Sequence, residues 1–496
     1  MIKNLLLISQ LYSLSRLKRL RSIFAASGRP AGARAEETRP FRVGILIGLM
    51  VPMIMMSLNF SMFRVALPII RDDFGIQADI AAWVMTVYTL PFMIFMPLYG
   101  RLGDAFGRRR LYLIGITVFL TGTVIAVLAP NLGWLMAGRA VQGLGTSSFV
   151  PLSMAIISQR FPPGERGQAL GTWNSVMPFM GMISPVLGGL LIDHLGWRTI
   201  FGPVLVAGLV GFLTLRGRVP PTPGVERDQA AFLRSFDWGG VALLGLTVTS
   251  LLFYASSRPI TGVAALQDWR LLGLTLLLLG GFVYWERRRA RPFVDLSILT
   301  NKIFRVASLS AGVRMFAMSG IGFLIPLYLA DVHALNAAAT GLLLMVHAGA
   351  LFATLRLGGL LADRWDGRWL VVLSLSSQAA MMVYLGLLPA TAPLWAVAAG
   401  VVAHGLGAGF SLATLHRAAM ARIPEEQSGM AAGLYSMVRF AGTVFGTALG
   451  GVILQSGLSR GALPIQAYQT VFLFIAGVAL LGALTGFGLQ EPGGSG

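Results

Sequence analysis

The chain has 496 residues, of which 55% are hydrophobic and only 12% charged, with a mean hydropathy of +0.73. That charged fraction is about half the ~25% of an ordinary soluble protein, so the apolar content must face lipid and a string of soluble domains is excluded. A formal charge of +19 on so few charged residues argues against a nucleic-acid partner, and the absence of cysteine excludes disulfides, thiolate metal sites and cysteine nucleophiles.

A helix that crosses a ~30 Å hydrocarbon core needs about 20 mostly apolar residues, at ~1.5 Å of rise each. Residues 1–42 open the chain with leucines and isoleucines interleaved with Arg16, Lys18, Arg19 and Arg21. The apolar run there is too short to span, and its charges follow it instead of preceding it, unlike a signal peptide. It reads as a basic amphipathic helix on the inner leaflet, with a frayed tail as the alternative. Six spans follow, at 43–67, 80–99, 111–129, 134–157, 169–192 and 199–215, and make an N-terminal bundle over 43–217. The Pro/Gly/charge-rich stretch 218–236 is a linker. Two additional spans, 238–255 and 271–285, occupy 237–291 and end on the basic run 286–291. The last six, at 304–329, 338–361, 369–388, 395–415, 429–454 and 470–488, make a C-terminal bundle over 292–490, before a tail at 491–496. Fourteen spans predict an all-α integral membrane protein.

The basic residues fix an expected orientation. With the N-terminus in the cytoplasm, 29 of the 39 Lys and Arg residues fall on the inner side. Only Arg71, Arg198, Arg258, Arg270 and Arg460 fall outside, and Arg64, Arg139, Arg314, Arg356 and Arg439 lie within spans. The positive-inside rule then predicts both termini in the cytoplasm; the expected location is a plasma (inner) membrane.

Two segments repeat. Gly100-Arg-Leu-Gly-Asp104-Ala-Phe-Gly107-Arg108-Arg-Arg110 follows the second span, and Gly359-Leu-Leu-Ala-Asp363-Arg-Trp-Asp-Gly367-Arg368 follows the tenth, 259 residues later. At an offset of 262, Gly143-Leu-Gly145 aligns with Gly405-Leu-Gly407, and Gly188-Gly189 with Gly450-Gly451. A near-constant offset means a duplicated six-helix unit with spans seven and eight inserted between the copies. Transporters are commonly built this way, with the substrate held between repeats near the midplane.

These motifs carry a family resemblance. Together with Trp83-Val-Met-Thr86-Val-Tyr88, Arg139-Ala-Val-Gln142-Gly143 and Pro185-Val-Leu-Gly188-Gly189, they make the chain resemble a major facilitator superfamily transporter of the fourteen-helix drug-resistance (drug:proton antiporter) branch, from Arg42 to about Gly488. The resemblance implies two six-helix bundles plus two central helices. It also implies a conformational gate at Gly100, Asp104, Gly107 and Arg108, mirrored by Asp363, Gly367 and Arg368. Asp104 would accept from arginines across the bundle interface and hold one conformation closed toward the cytoplasm. Arg139 and Gln142 would serve gating or proton transfer, with helix-packing glue as the alternative. Pro185, Gly188, Gly189, Gly442, Gly446 and Gly450 form the helix-packing signature, since glycines let helices approach closely. The chain departs from the pattern at Met180 and Ser184, where glycines are usual. Span one reads Leu58-Asn59-Phe60-Ser61 with Arg64 beyond it, so Asn59 stands where the family's acid is expected.

All twenty acids fall in loops, tails or span ends. Proton-coupled transporters normally carry a carboxyl inside the membrane, so this census opposes proton antiport. Deep in the spans are bases instead: Arg314, Arg439, His347 and His404, with Arg139 shallower and Arg64 toward the outer end. Arginine at the midplane costs at least ~2.5 kcal/mol and is expected to face a wet cavity or an anion. Arg314 and Arg64 are the better candidates for substrate charge, Arg64 alternatively snorkelling to the interface. Each histidine either titrates or stays neutral against a neighbouring helix.

Three functions are compatible with this. The first is a secondary exporter of hydrophobic or amphipathic compounds by alternating access, multidrug in type. The second is a transporter of anionic amphiphiles or lipids that uses intramembrane arginines. The third is a non-transporting sensor or scaffold on the same fold. No nucleotide-binding loop, metal cluster or nucleophile–base pair points to an enzyme or a cofactor. Expected partners are a small amphipathic substrate, membrane lipids and, through the resemblance, protons; a monomer is expected.

Overall fold

The computed structural model describes residues 39–221, 229–289, 292–362, 365–424 and 427–489. The expected amphipathic segment up to Thr38, the gate residue Asp363 and the tail 491–496 lie outside them. The chain divides into two compact units, Met1–Arg42 and Val43–Gly496. The second holds the membrane spans.

The N-terminal half comprises α1 (Arg39–Asp73), α2 (Ala78–Phe106), α3 (Arg108–Val127), α4 (Leu132–Thr146), α5 (Phe149–Arg160), α6 (Pro163–Leu195) and α7 (Phe201–Arg218). A short helix α8 (Gln229–Ser235) lies in the expected linker, before the inserted pair α9 (Trp238–Ser256) and α10 (Trp269–Arg288). The C-terminal half comprises α11 (Lys302–Ser319), a π-helical turn Gly320–Leu324, and α12 (Ile325–His333). It continues with α13 (Ala337–Ala362), α14 (Gly367–Leu387), α15 (Leu394–Gly409), α16 (Ser411–Met420), α17 (Ser428–Ser459) and α18 (Pro464–Gly486). Among the described residues, thirteen helical segments are long and apolar enough to cross a membrane, α4–α5, α11–α12 and α15–α16 each counting as one. α10, 20 residues long, has the same reach but carries Arg270 at one end and Glu286, Arg287 and Arg288 at the other. With it the bundle has the fourteen helices expected from the sequence.

Local chemistry sets these boundaries. Asn131, Asp237, Asp268, Asn301 and Asp366 each accept a backbone N–H at the start of α4, α9, α10, α11 and α14, satisfying donors that a helix leaves free. Gly107 sits between α2 and α3 at φ +92°, where a side chain would be strained. Prolines 52, 68, 91, 97, 178 and 185 lie inside α1, α2 and α6 without ending them, as is common for packed membrane helices.

The structure departs from the expected spans in two ways. α1 runs on to Asp73, which brings Arg71, expected in a loop, into the last helical turn. The fourth and twelfth spans are each interrupted, at Ser147–Ser148 and at Phe410. The two breaks fall at closely corresponding places in the repeats.

Along the seam between the halves α6 packs on α13 and α2 on α17, while α9 touches both α2 and α17. Trp83 anchors this inserted pair: its ring meets Phe253 at 4.8 Å, and its Nε1 donates to the Ser256 carbonyl at 3.0 Å.

Candidate functional site

At mid-depth, where α1, α2, the π-helical turn and α17 converge, a small chamber lies between the halves. Its walls include Phe60, Arg64, Thr86, Phe323, Thr443 and Thr447. Space for water centres is about 10 Å³, enough for about one water. Larger grooves run between α3 and α7 near Ile114, with Arg109 and Arg110 in the wall, and along α10 near Leu276, with Arg287 and Arg288, but they lie away from the convergence of the two halves.

Arg64 reaches the chamber from α1. Its guanidinium stacks on Phe60 at 4.2 Å and lies over the backbone of Gly322 in the opposite half. A Cβ at Gly322 would sit 2.8 Å from the guanidinium carbon, so this approach needs glycine. π-helical turns often mark functional positions, and here the turn presents that bare backbone. Among the described residues Arg64 has no hydrogen-bonding partner, and its Nε is buried.

The other deep arginines are held differently. Arg139 is fully buried, with its guanidinium between the rings of Phe63 (3.9 Å) and Tyr88 (4.4 Å). Its Nη1 donates to Gln142 Oε1 at 3.0 Å, and Gln142 donates onward to Thr123 at 2.9 Å. Tyr88 donates to Thr146. Asn59, 2% exposed, lies beside the Tyr88 hydroxyl, but neither of its amide atoms makes a well-formed hydrogen bond. Arg139, Gln142 and Asn59 thus belong to one buried network inside the N-terminal half.

Arg314 donates through Nε and Nη2 to the Ala408 carbonyl, at 3.0 and 2.8 Å. That carbonyl sits where α15 ends at its break, so the cation satisfies a group the helix terminus leaves free. Sequence reasoning expected Arg314 to face a cavity or an anion; here its charge is spent on a helix end. Arg439 stacks over Phe440 at 4.6 Å, and its buried Nε has no partner among the described residues. His347 and His404 come together across α13 and α15, Nε2 to Nδ1 at 3.3 Å, with both rings buried. One nitrogen donates and the other accepts, and His404 Nε2 is left without a partner.

The face opposite the Gly100–Arg110 segment is clasped by polar contacts between the halves. Arg71 forks onto Asp331, with both bonds 2.7 Å, and Tyr468 donates to the same carboxylate. Asp193 accepts from Ala337 N and Ala338 N at the start of α13, at 3.0 and 2.9 Å. Gln455 accepts from Ala78 N at the start of α2, at 3.1 Å.

On the arginine-rich face the gate residues Asp104 and Arg108 are tied within their own half, while Arg101 donates to the Pro292 carbonyl at the entry to the C-terminal half, at 3.0 Å. Arg108 pairs with Asp104 at 2.8 Å and donates to Ala155 O and Gln159. The expected Asp104 contact across the bundle interface is thus replaced by a local one, four residues away on the same segment. Its physical reason is the turn at Gly107, which folds Arg108 back over Asp104. Gly100 makes only ordinary contact, with Pro151. In the second copy, Asp366 accepts from Arg368 N at the start of α14, where Gly367 is buried. The Arg356 side chain lies outside the described residues.

The glycine signature is steric. A Cβ at Gly188 would press on Met62, one at Gly189 on the Ala337–Ala338 backbone, and one at Gly442 on the Gly312 backbone. Gly446 lies against Phe316 and Ser319, whereas Gly450 makes only ordinary contacts. Pro185 offers its carbonyl side to Gly341 across the seam.

Several residues escaped sequence reasoning. Arg71, Asp331, Tyr468 and Gln455 carry no motif, and only their positions at helix ends hinted at a clasp. Thr86 was read as part of a signature, but not as a wall of the chamber; Thr443 and Gly322 gave no signal.

Comparison with known proteins agrees with this architecture. The family described as Major Facilitator Superfamily matches residues 49–299 and 307–495. The multidrug resistance protein Stp of Mycobacterium tuberculosis (strain CDC 1551 / Oshkosh) is 31% identical over 84% of the chain and 77% of its own length. The riboflavin transporter RibZ of Clostridioides difficile (strain 630) is 28% identical over 82% and 86%. The tetracenomycin C resistance and export protein of Streptomyces glaucescens is 27% identical over 86% and 78%. Among solved structures, a bacterial homologue of the human lysosomal transporter Spinster superposes with a TM-score of 0.63 at 15% identity, over 91% of this chain and 97% of that one. A peptide transporter, POT, gives 0.66 at 14% identity, over 89% and 93%; both similarities concern the fold alone. The chain belongs to the Major Facilitator Superfamily, among its drug-resistance transporters.

Proposed function

We propose that the protein is a secondary exporter of amphipathic organic compounds that works by alternating access, with its arginine-rich face in the cytoplasm. The observation that carries this reading is the asymmetric seam. Three polar contacts clasp the halves at one face, while at the other face Asp104 and Arg108 are tied inside their own half and a single bond, Arg101 to the Pro292 carbonyl, reaches the entry to the C-terminal half. A chamber between two halves, closed on one side by bonds that can be broken and remade, is what alternating access requires. The similarity to a multidrug resistance protein and to a tetracenomycin C resistance and export protein supports amphipathic cargo and outward direction.

Coupling to protons through a mid-span carboxylate is not part of this reading. The described acids lie in loops or in the end turns of helices, as Asp79, Asp193 and Asp331 do.

Because the chain has no cysteine, the test is direct. Arg71→Cys with Asp331→Cys, oxidised in proteoliposomes, should stop dye flux, and reduction should restore it. Flux that is indifferent to the cross-link would sink the alternating-access reading. Flux unchanged by an imposed pH gradient would support the absence of proton coupling. If no compound moves while a partner protein co-purifies stoichiometrically, a scaffold role replaces transport.

A further inference from the structure

We infer that Arg64, Thr86 and Thr443 form a seat for an oxyanion, so that the transported compounds carry a carboxylate, sulfonate or phosphate on an apolar body. This rests on the transport reading above and names its substrate class.

The argument starts from what separates Arg64 from the other buried arginines. Arg139 is engaged by Gln142 and two rings, and Arg314 by the Ala408 carbonyl; Arg439 stacks on Phe440 with its Nε likewise unpartnered among the described residues, but it is not a wall of the chamber. Arg64 rests on Phe60 and on the bare backbone at Gly322, with no hydrogen-bonding partner among the described residues. A guanidinium keeps its charge inside a protein and carries donors in a planar fork that matches an oxyanion with two parallel bonds.

The hydroxyls beside it show the same deficit. Thr86 is 1% exposed and Thr443 8%, and the Oγ1 of each is buried without a partner among the described residues. A threonine in a helix ordinarily bonds a carbonyl one turn back, as Thr89 does to Met85 and Thr123 to Phe119. Buried donors left unmet are costly, and three of them from α1, α2 and α17 line one chamber. Every one can donate, so what completes the set is an acceptor, and the cation makes it an anionic acceptor.

The neighbouring surface suits the rest of such a molecule. One to two turns toward the arginine-rich face, Phe92 of α2 meets Phe440 of α17 edge to face at 4.7 Å, with Arg439 stacked on Phe440. An aromatic or aliphatic body packs there while its acid group reaches Arg64. The chamber holds only about one water when the opposite face is clasped, so seating an organic anion accompanies a widening between the halves.

The test uses the purified full chain, in detergent for binding and in proteoliposomes for flux, with three probes sharing one pyrene body: pyrenebutyrate, its amide, and a pyrenylbutyl-trimethylammonium. Pyrenebutyrate should bind saturably, the amide about tenfold or more weaker, and the ammonium not measurably. Arg64→Gln should weaken pyrenebutyrate about tenfold or more and the amide by clearly less, narrowing the difference between the two probes, while Arg64→Lys retains part of the affinity through its charge alone. Thr86→Val and Thr443→Val keep shape and should each weaken it about three- to tenfold, which decides the matter if Arg64→Gln does not fold. Equal binding of the acid and the ammonium, or parental affinity in Arg64→Gln or in both threonine variants, would overturn the seat. Binding without flux would keep the seat and sink the exporter. Flux of the ammonium alone would keep the exporter and sink the seat.

Discussion

Arg71 and Asp331 are joined across the seam by a fork of two hydrogen bonds, Nη1 to Oδ2 and Nη2 to Oδ1, each 2.7 Å long. The side chains are only 16% and 19% exposed, so salt screens the pair weakly, and removing one charge strands the other. Asp331→Asn keeps the shape but drops the charge that receives both Arg71 and Tyr468. Loss of ~1.5–3 kcal/mol should shift the balance toward opening at this face by about 10- to 150-fold. A single Thr447→Cys in the chamber reports the shift. An impermeant maleimide added at the clasped face should label it faster in Asp331→Asn than in the parent. Equal rates would show that the fork does not hold that face shut.

Two glycines of similar appearance should respond oppositely to alanine. At Gly442 the added Cβ meets the backbone of Gly312, which cannot retreat without moving α11. Gly442→Ala should cost ~1–3 kcal/mol and lower the melting temperature in detergent. At Gly322 the Cβ meets the guanidinium of Arg64, the far end of a flexible side chain. Gly322→Ala should leave the melting temperature nearly unchanged and instead displace Arg64 from the chamber, changing substrate affinity. Equal thermal losses in the two variants would contradict this division.

The same contrast shows what was legible in the sequence. Helix number, the inserted pair and the repeat follow from apolar run lengths and glycine spacing, and all are read locally. Arg139 with Gln142 is also local, being three residues apart on one helix turn. Arg314 is not. Its partner is a carbonyl 94 residues away, freed by a helix break that Gly405, Gly407 and Gly409 only suggest. Five arginines inside spans therefore looked alike, though burial partners divide the four with described side chains, Arg64, Arg139, Arg314 and Arg439, into held and unheld. Threonine hydroxyls hide their state for a similar reason, since Thr86 and Thr89 differ only in whether a carbonyl on their own helix receives them. The clasp at Arg71 was missed because α1 continues past the apolar run that defined its expected end.

Gln142 is predicted to matter more for stability than Arg139 itself. Among the described residues the cation at Arg139 has one side-chain hydrogen bond, from Nη1 to Gln142, while its Nε and Nη2 are buried without partners. Gln142→Leu removes that acceptor and leaves a charge in a dry site, at a cost of ~3–5 kcal/mol. Arg139→Met removes the charge and keeps apolar bulk between Phe63 and Tyr88, so its thermal cost should be smaller. A cost for Arg139→Met at least as large would mean that the two aromatic faces hold the guanidinium more strongly than the amide does.

The cluster at the base of the inserted pair carries the last prediction. Asp237 accepts from Gly240 N at 2.9 Å, Trp285 Nε1 at 2.7 Å and Phe293 N at 3.1 Å. One buried carboxylate thereby ties the start of α9, the end of α10 and the strand of chain entering the C-terminal half. Asp237→Ala loses a helix cap and leaves buried donors unmet, for ~2–4 kcal/mol. Trp285 emission should shift to the red as its indole turns to water. Glu286 behaves differently. A Cβ at Gly240 would lie within 3.0 Å of both Glu286 Oε1 and Asp237 Oδ2, so those oxygens are less than 6 Å apart, and Oε1 has no partner. Glu286→Gln removes a like charge beside Asp237 and offers it an N–H in return, so the melting temperature should hold or rise. Opposite signs at two acids in one cluster separate a carboxylate held by three donors from one held by a single long bond, Val294 N to Glu286 Oε2 at 3.4 Å. A fall in Glu286→Gln as large as in Asp237→Ala would show that Glu286 is held as firmly as its neighbour.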